Sequence, residues 1–219
     1  MDHLVQLARG RHVIHAGFVD AGFEAMAHSN QAWLHADLDR AATRLVGIDL
    51  SSEGVDRARS EGYEAHQLDC SDVAAVRASG VEPAQLVIGG ELIEHLDNPG
   101  GFLDGVHHLV APGGSLVLTT PNASGLMNPL AALVRREINH PDHVVTFTQR
   151  TLTALLERHS WEVTEYATYI PSIKTSAAAD EIPPVLRFAA GALLGTERLL
   201  SRISPFLADG LIIGARSVA

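Results

Sequence analysis

The stretch QLVIGGELIEHLDNPGGFLDGVHHLVAPGGSLVLTTPN, residues 85–122, decides the fold. It opens on a short apolar run, Gln85–Gly89, which ends in glycine and has the length of a buried strand. A helical pattern follows over Pro99–Val110. Pro112-Gly113-Gly114 then predicts a turn before a second apolar run, Ser115–Thr120. Strand, helix and strand in that order form the βαβ unit, whose two strands run parallel.

The same alternation extends in both directions. Strand-like runs fall at His12–Ala16, Arg44–Asp49, Glu64–Leu68, Trp161–Tyr169 and Gly210–Ala215, and helical patterns at Gln31–Thr43, Ser52–Glu61, Val73–Ser79 and Arg150–His159. The order predicts an α/β chain with a doubly wound sheet of seven strands. Ser51 or Ser52 can cap the helix that begins at Glu53, and Thr148 the one that begins at Gln149, with Phe147 placed to pack back on it. Residues 172–205 break the alternation: Pro183-Pro184 precedes a long Leu- and Ala-rich helical pattern, Val185–Ile203. We read 1–219 as one domain with a helical cap or insertion at about 172–205.

The chain has 219 residues, 46% hydrophobic and 19% charged, which is ordinary globular composition. A net charge of −10, spread along the chain, disfavours nucleic acid as a partner. One cysteine, Cys70, excludes an internal disulfide and a cysteine-based zinc site, and fits a reducing cytoplasm. The opening MDHLVQLARGRH lacks an apolar core, so no signal peptide is expected, and no run is long enough to span a bilayer.

Ligands of open α/β sheets bind beyond the carboxyl ends of the strands, where strand order reverses. After the first strand, Gly17 can admit a close backbone approach and Asp20 can take a cationic amine; a plain tight turn reads equally well. The glycines needed to cradle a diphosphate are missing. Asp49, at the tip of the second strand, is placed to accept both hydroxyl protons of a ribose, or to cap the next helix. Asp69 can accept from an adenine amine, or cap the helix before Val73. After the fourth strand come Gly90, Glu91 and the pair Glu94-His95; His95 is a candidate base or metal ligand, or a structural hydrogen-bonder. His140, Asp142 and His143 lie together in a loop that can cover the strand ends. Two histidines and an acid can hold a divalent metal, but their spacing is weak evidence and solvated loop histidines are the plainer reading. With 12 histidines in the chain, none is decisive alone.

Taken together, these residues resemble a class I S-adenosylmethionine (SAM)-dependent methyltransferase. Residues 85–122 are similar to that family's fourth strand, Glu-His-Leu segment, Pro-Gly-Gly turn and fifth strand ending in Thr-Pro-Asn. LVGIDLSSEGVDRAR (residues 45–59) resembles the second strand with its acidic tip, and HPDHVVTFTQRTLTALLERHSWEV (residues 140–163) the lid, helix and sixth strand of small-molecule members. The resemblance implies a Rossmann-like sheet, mostly parallel with an antiparallel last strand. It implies that Gly17 and Asp20 approach the methionine part of SAM, Asp49 the ribose, and Asp69 with Cys70 the adenine, with Leu50 a further cofactor-binding residue. Gly90 and Glu91 would line the sulfonium end. The family's first motif, acid-x-Gly-x-Gly, reads here His15-Ala16-Gly17-Phe18-Val19, with His15 in place of the acid and Val19 in place of the second glycine.

Since the sulfonium is already a good leaving group, the protein's task is alignment and removal of the acceptor's proton. The candidate bases are His95 and His143, with His140 behind them. The expected activity is O-methylation of a small molecule such as a sugar, polysaccharide precursor or secondary metabolite. A divalent ion such as Mg²⁺ is left open. A catalytically silent SAM-fold scaffold is the alternative, and an NAD-dependent oxidoreductase lacks its pyrophosphate loop. The apolar content of Val185–Ile203 permits a lipid surface or a second copy of the chain as partner, but Arg187, Arg198 and Arg202 are too few for a strong membrane reading.

Overall fold

A computed structural model describes residues 2–19, 33–133, 135–170 and 195–218. Its centre is a seven-stranded sheet in the order β3-β2-β1-β4-β5-β7-β6. The strands are β1 (His12–Ala16), β2 (Arg44–Asp49), β3 (Ala65–Gln67), β4 (Ala84–Gly90), β5 (Val110–Pro121), β6 (Trp161–Tyr169) and β7 (Gly210–Ser217). β7 runs antiparallel to both β5 and β6, while β1 to β5 pair in parallel. The expected doubly wound sheet with one antiparallel last strand is therefore present. Strand order reverses between β1 and β4, which places the ligand-binding crevice at Ala16 and Gly89, partners across that pair.

The central strands are buried on both faces, and that is why they read as continuous apolar runs and not as alternating patterns. One face carries Val13, Leu45, Leu86 and Ile88 against α1 (Asp2–Ala8) and α2 (Leu34–Ala41). α3 (Ser52–Ser60) adds Val55 and Ala58, packed with Phe18 and Ala65. The other face carries Ile14, Val46, Ile48, Val87 and Leu116 against α4 (Val73–Ala78), α5 (Pro99–Val106) and α7 (Gln149–Arg158). α6 (Met127–Leu133) follows β5. Among the described residues no helix is long and apolar enough to cross a membrane.

Local chemistry sets the helix starts. Ser51 accepts from the Gly54 amide at 3.1 Å, and Asp72 from Ala75 at 3.0 Å. Asn98 accepts from Gly101 at 2.9 Å, with Pro99 in the first helical position. Thr148 caps α7 through a reciprocal pairing with Thr151, and Phe147 is buried.

Three expectations change. The opening segment, read only for a leader, forms α1, whose Leu4 and Ala8 lie one turn apart and are buried on the sheet. The Pro112–Gly114 turn lies inside β5 and not before it. Ala84 pairs with Val110 and Leu86 with Ser115, so four residues of β5 bulge opposite one of β4, with Gly113 at φ 76°. The helical pattern Gln31–Thr43 is helical from Leu34 to Ala41. Asp20, Pro183-Pro184 and most of Val185–Ile203 lie outside the described residues; residues 195–203 are helical.

α5 approaches the chain after β3 so closely that a Cβ on Gly105 would collide with the carbonyl oxygen of Cys70. Backbone cannot yield as a flexible side chain does. We expect Gly105→Ala to lower stability by about 3 kcal/mol, the upper end of overpacking, read as a fall in the urea midpoint at constant slope.

Candidate active site

The crevice is built from the segments leaving β1, β2 and β4. Gly17 takes φ 67°, and a Cβ there would lie 2.6 Å from Leu92, so this turn requires glycine. The Gly17 amide donates to the Ile48 carbonyl at 2.8 Å, holding the loop onto β2. Asp49 is the hub. Its Oδ2 accepts from the Val19 amide at 3.0 Å and its Oδ1 from the Ser51 amide at 2.9 Å. One lone pair on each oxygen remains for a further donor, such as a pair of vicinal hydroxyls.

Val19, in the second-glycine position, packs over the start of α3, where Gly54 leaves room for it; a Cβ on Gly54 would sit 2.5 Å from Val19 Cγ1. His15 is only 3% exposed and faces the α2 layer, its Nδ1 3.2 Å from Nδ1 of the fully buried His35. Burial pushes His15 down to about 3, with His35 adding to the shift, and burial pushes His35 down to about 4. Both rings are therefore neutral at pH 7, one donating and one accepting. Phe18, Trp33 and Tyr63 enclose His35, and Trp33 Nε1 donates to the Phe18 carbonyl at 3.2 Å.

Beyond the tips of β2 and β3, Leu50 is exposed and its carbonyl accepts from Gln67 Nε2 at 3.1 Å. Asp69 is exposed and accepts from the Ser71 amide at 2.7 Å; the cap of α4 is Asp72. Cys70 is buried, and burial together with Asp69 and Asp49 raises its thiol to about 12, so it stays protonated.

Past β4 the chain turns through Glu91 at φ 49° into a 3₁₀ turn, Ile93–His95. The Glu91 amide donates to the Thr119 carbonyl at 3.0 Å, and its Oε1 accepts from Tyr169 Oη at 2.6 Å. Burial, then the Glu91 charge, holds the Tyr169 phenol well above its usual range. Glu94 is 1% exposed, and neither carboxyl oxygen has a hydrogen-bond partner. Burial, then the negative charge of Glu91, pushes it up to about 7. Its main-chain carbonyl accepts from both Val144 at 2.9 Å and Val145 at 3.1 Å, pinning the loop that carries the histidines. His95 and His143 meet edge to face at 4.7 Å between ring centres, and His140 lies 6.1 Å from His95 and 5.5 Å from His143. His143 is half-buried and lowered by that burial and by its two histidine neighbours.

The structure thus ties the Gly17 loop to Asp49 through the Val19 amide, and gathers His95, His140 and His143 at the turn that follows Gly90 and Glu91. Asp142 uses its carbonyl on His95 Nδ1 at 3.2 Å, while its carboxylate sits 3.6 Å from His140. Glu94 entered the sequence reading only as the neighbour of His95, with no role of its own, and Tyr169 was not singled out. An acid three residues after Glu91, beside a histidine and among apolar neighbours, was the available signal for Glu94; Tyr169 offered none beyond its place at a strand end.

The end of β5 is held by Asn122, whose Nδ2 donates to the carbonyls of Phe206 and Ala208 at 2.9 and 2.7 Å. Asp209 Oδ1 accepts from the Met127 amide at 3.0 Å. A cleft of about 370 Å³, lined by Ala123, Asn128, Ala132, Arg136, Asn139 and Thr146, opens between α6 and the histidine loop.

A strand order of 3-2-1-4-5-7-6 with a carboxylate at the tip of β2 defines a class I SAM-dependent methyltransferase fold. Residues 31–166 match the family model described as a methyltransferase domain, and the chain belongs to that family. No curated protein matches the sequence. Among solved structures, a SAM-dependent methyltransferase from Archaeoglobus fulgidus is 14% identical, with a TM-score of 0.58 over 98% of this chain and 89% of that one. The N-methyltransferase NodS of Bradyrhizobium japonicum WM9, in complex with S-adenosylhomocysteine, is 15% identical, with a TM-score of 0.55 over 100% and 85%. The 1,6-didemethyltoxoflavin-N1-methyltransferase of Burkholderia thailandensis, also 15% identical, gives 0.54 over 98% and 74%.

Proposed function

We propose that this methyltransferase moves the methyl group of SAM to a hydroxyl of a small molecule. The observation that carries the reading is the imidazole group of His95, His143 and His140, gathered at the turn that follows β4. A neutral amine attacks without help, whereas a hydroxyl must lose its proton at or before transfer, and clustered imidazoles suit that demand.

The residues present fit the cofactor. Gly17 keeps the loop free of a Cβ, and Asp49 has an acceptor to spare on each oxygen for the two ribose hydroxyls. Leu50, Asp69 and the apolar Cys70 flank the place of the adenine, and Gly90 with Glu91 the sulfonium end. Asp20 is our candidate for the amino group of the methionine part. The bound cofactor supplies an electrophilic methyl on sulfur. The chain's part is to align the acceptor oxygen with it, to exclude water, and to take up the hydroxyl proton on the imidazole group.

The departures in the first motif support a catalytically silent scaffold less than the sequence suggests. His15 is a core residue paired with His35, and Val19 is seated against Gly54 with its amide on Asp49. The test is calorimetric titration with SAM and S-adenosylhomocysteine, followed by transfer of labelled methyl to matched panels of hydroxylated and amine acceptors. Micromolar binding with label on hydroxyl acceptors is the expected result. Label on amines alone would overturn the O-methylation reading, and no binding of either ligand would overturn the transferase reading.

A further inference from the structure

We propose that Glu94, His95 and His143 bind a divalent transition-metal ion. The inference deepens the O-methyltransferase reading and rests on it only for the ion's role. The ligand atoms of the three residues all lie within 4.8 Å of one another. Metal–ligand bonds of about 2.0–2.2 Å in a tetrahedral shell place neighbouring donors about 3.4 Å apart, so side-chain closure of about 1.4 Å completes the set.

Glu94 supplies an independent argument. Its carboxyl is buried without a hydrogen bond to either oxygen, and among the described residues no salt bridge reaches it. The Thr120 hydroxyl, also buried, lies close enough to favour the charged carboxylate but is not in bonding geometry with it. Buried carboxyls without partners are rare because nothing replaces the lost water; a cation does so.

The orientation of His95 points the same way. A carbonyl oxygen only accepts, so the contact of His95 Nδ1 with the Asp142 carbonyl at 3.2 Å places the ring proton on Nδ1. Nε2 is left with its lone pair exposed, the arrangement in which a backbone carbonyl orients a ligating imidazole. The backbone of Glu94 meanwhile grips Val144 and Val145, so the first two ligands are tied to the loop that delivers the third.

Two imidazoles and a carboxylate favour a borderline ion such as Zn²⁺, Mn²⁺ or Co²⁺ over Mg²⁺, which prefers oxygen donors. Three protein ligands leave coordination positions open for the acceptor's hydroxyl. A bound ion lowers that hydroxyl's pKa, and with His95 and His143 engaged as ligands it is His140, of the three imidazoles, that takes the proton. The oxygen then forms a bond to the methyl carbon as the carbon–sulfur bond breaks. The products are the methyl ether, S-adenosylhomocysteine and one proton.

The test uses the full chain, freed of metal with a chelator that is then removed, and titrated with Co²⁺ and separately with Zn²⁺. Cobalt gives a visible absorption band that reports nitrogen and oxygen ligation without any activity measurement. We expect one equivalent to bind, and binding to weaken on the order of 100-fold in Glu94→Gln and in His143→Ala. His159→Ala, which removes a ring paired with Asp104 at 2.7 Å, should bind like the parent. Circular dichroism identifies a variant that fails to fold, in which case the other ligand variant decides. No band in the parent, or ligand variants that titrate like it, would overturn the proposal. SAM titrated in parallel separates the two readings: SAM binding without metal binding overturns this site alone, and metal binding without SAM binding upholds the site while overturning the transferase.

Discussion

Replacing Asp49 by alanine is expected to weaken SAM binding by about two orders of magnitude. The carboxylate already accepts the Val19 and Ser51 amides, one on each oxygen, and keeps one lone pair on each for the ribose. Hydrogen bonds to a charged group are worth about 1.5–3 kcal/mol each. Losing two of them, in a crevice where the donors cannot find water as readily, corresponds to about 3 kcal/mol, or roughly 100-fold in Kd. An asparagine side chain would keep one acceptor of lower charge, so Asp49→Asn should fall between the parent and the alanine variant. Calorimetry measures the affinities, and melting in the absence of ligand separates a lost ribose contact from a loosened loop. Unchanged affinity in Asp49→Ala would mean that the ribose is held elsewhere.

The second large effect is on stability in mild acid. His15 and His35 titrate in the folded chain at about 3 and about 4, against an ordinary histidine value of 6.5. Between those values the unfolded chain binds protons that the folded chain refuses. The stability tied to the pair is therefore complete above pH 6.5 and is lost progressively as the pH falls toward 4 and then 3. At pH 5 each ring accounts for about 2 kcal/mol, and the two together for about 4 kcal/mol as an upper figure. Urea unfolding at pH 7.5 and pH 5 measures the loss. A His15→Leu, His35→Phe double variant places apolar groups between the sheet and Phe18, Trp33 and Tyr63, and should show a much smaller loss. Equal losses in the two proteins would assign the acid sensitivity to other groups.

The sheet was legible because its central strands are buried on both faces, so that HVIHA, RLVGID and QLVIGG read as apolar runs with no periodicity to misjudge. The caps at Ser51 and Thr148 were legible because capping is local. What depended on partners distant in sequence was not. Nothing near His15 announces a partner twenty residues on, and the substitution read as a change to the cofactor loop is a change to the core. Glu94 read as one half of the Glu94-His95 pair, with no local sign that its carboxyl is buried. The double backbone bond to Val144 and Val145 is what folds the loop over it and removes its water. The β5 bulge was misplaced for a related reason: Pro112–Gly114 signals a bend, but only pairing with β4 decides whether the strand ends there. The site was legible as a set of strand ends and illegible as a set of contacts.

The direction of β7 has a consequence for how this enzyme can diversify. An antiparallel strand presents its beginning where its neighbours present their ends, so Gly210 meets both Pro121 and Tyr169 at the crevice rim. The segment that enters β7 must therefore arrive over the mouth of the pocket, where Asn122 and Asp209 fasten it. Sequence inserted ahead of Gly210 therefore alters the rim at Pro121 and Tyr169 while the strands that carry Gly17 and Asp49 keep their pairing. The rim at Gly210 and the loop at Gly17 are thus written in separate parts of the gene, and the first can drift without disturbing the second.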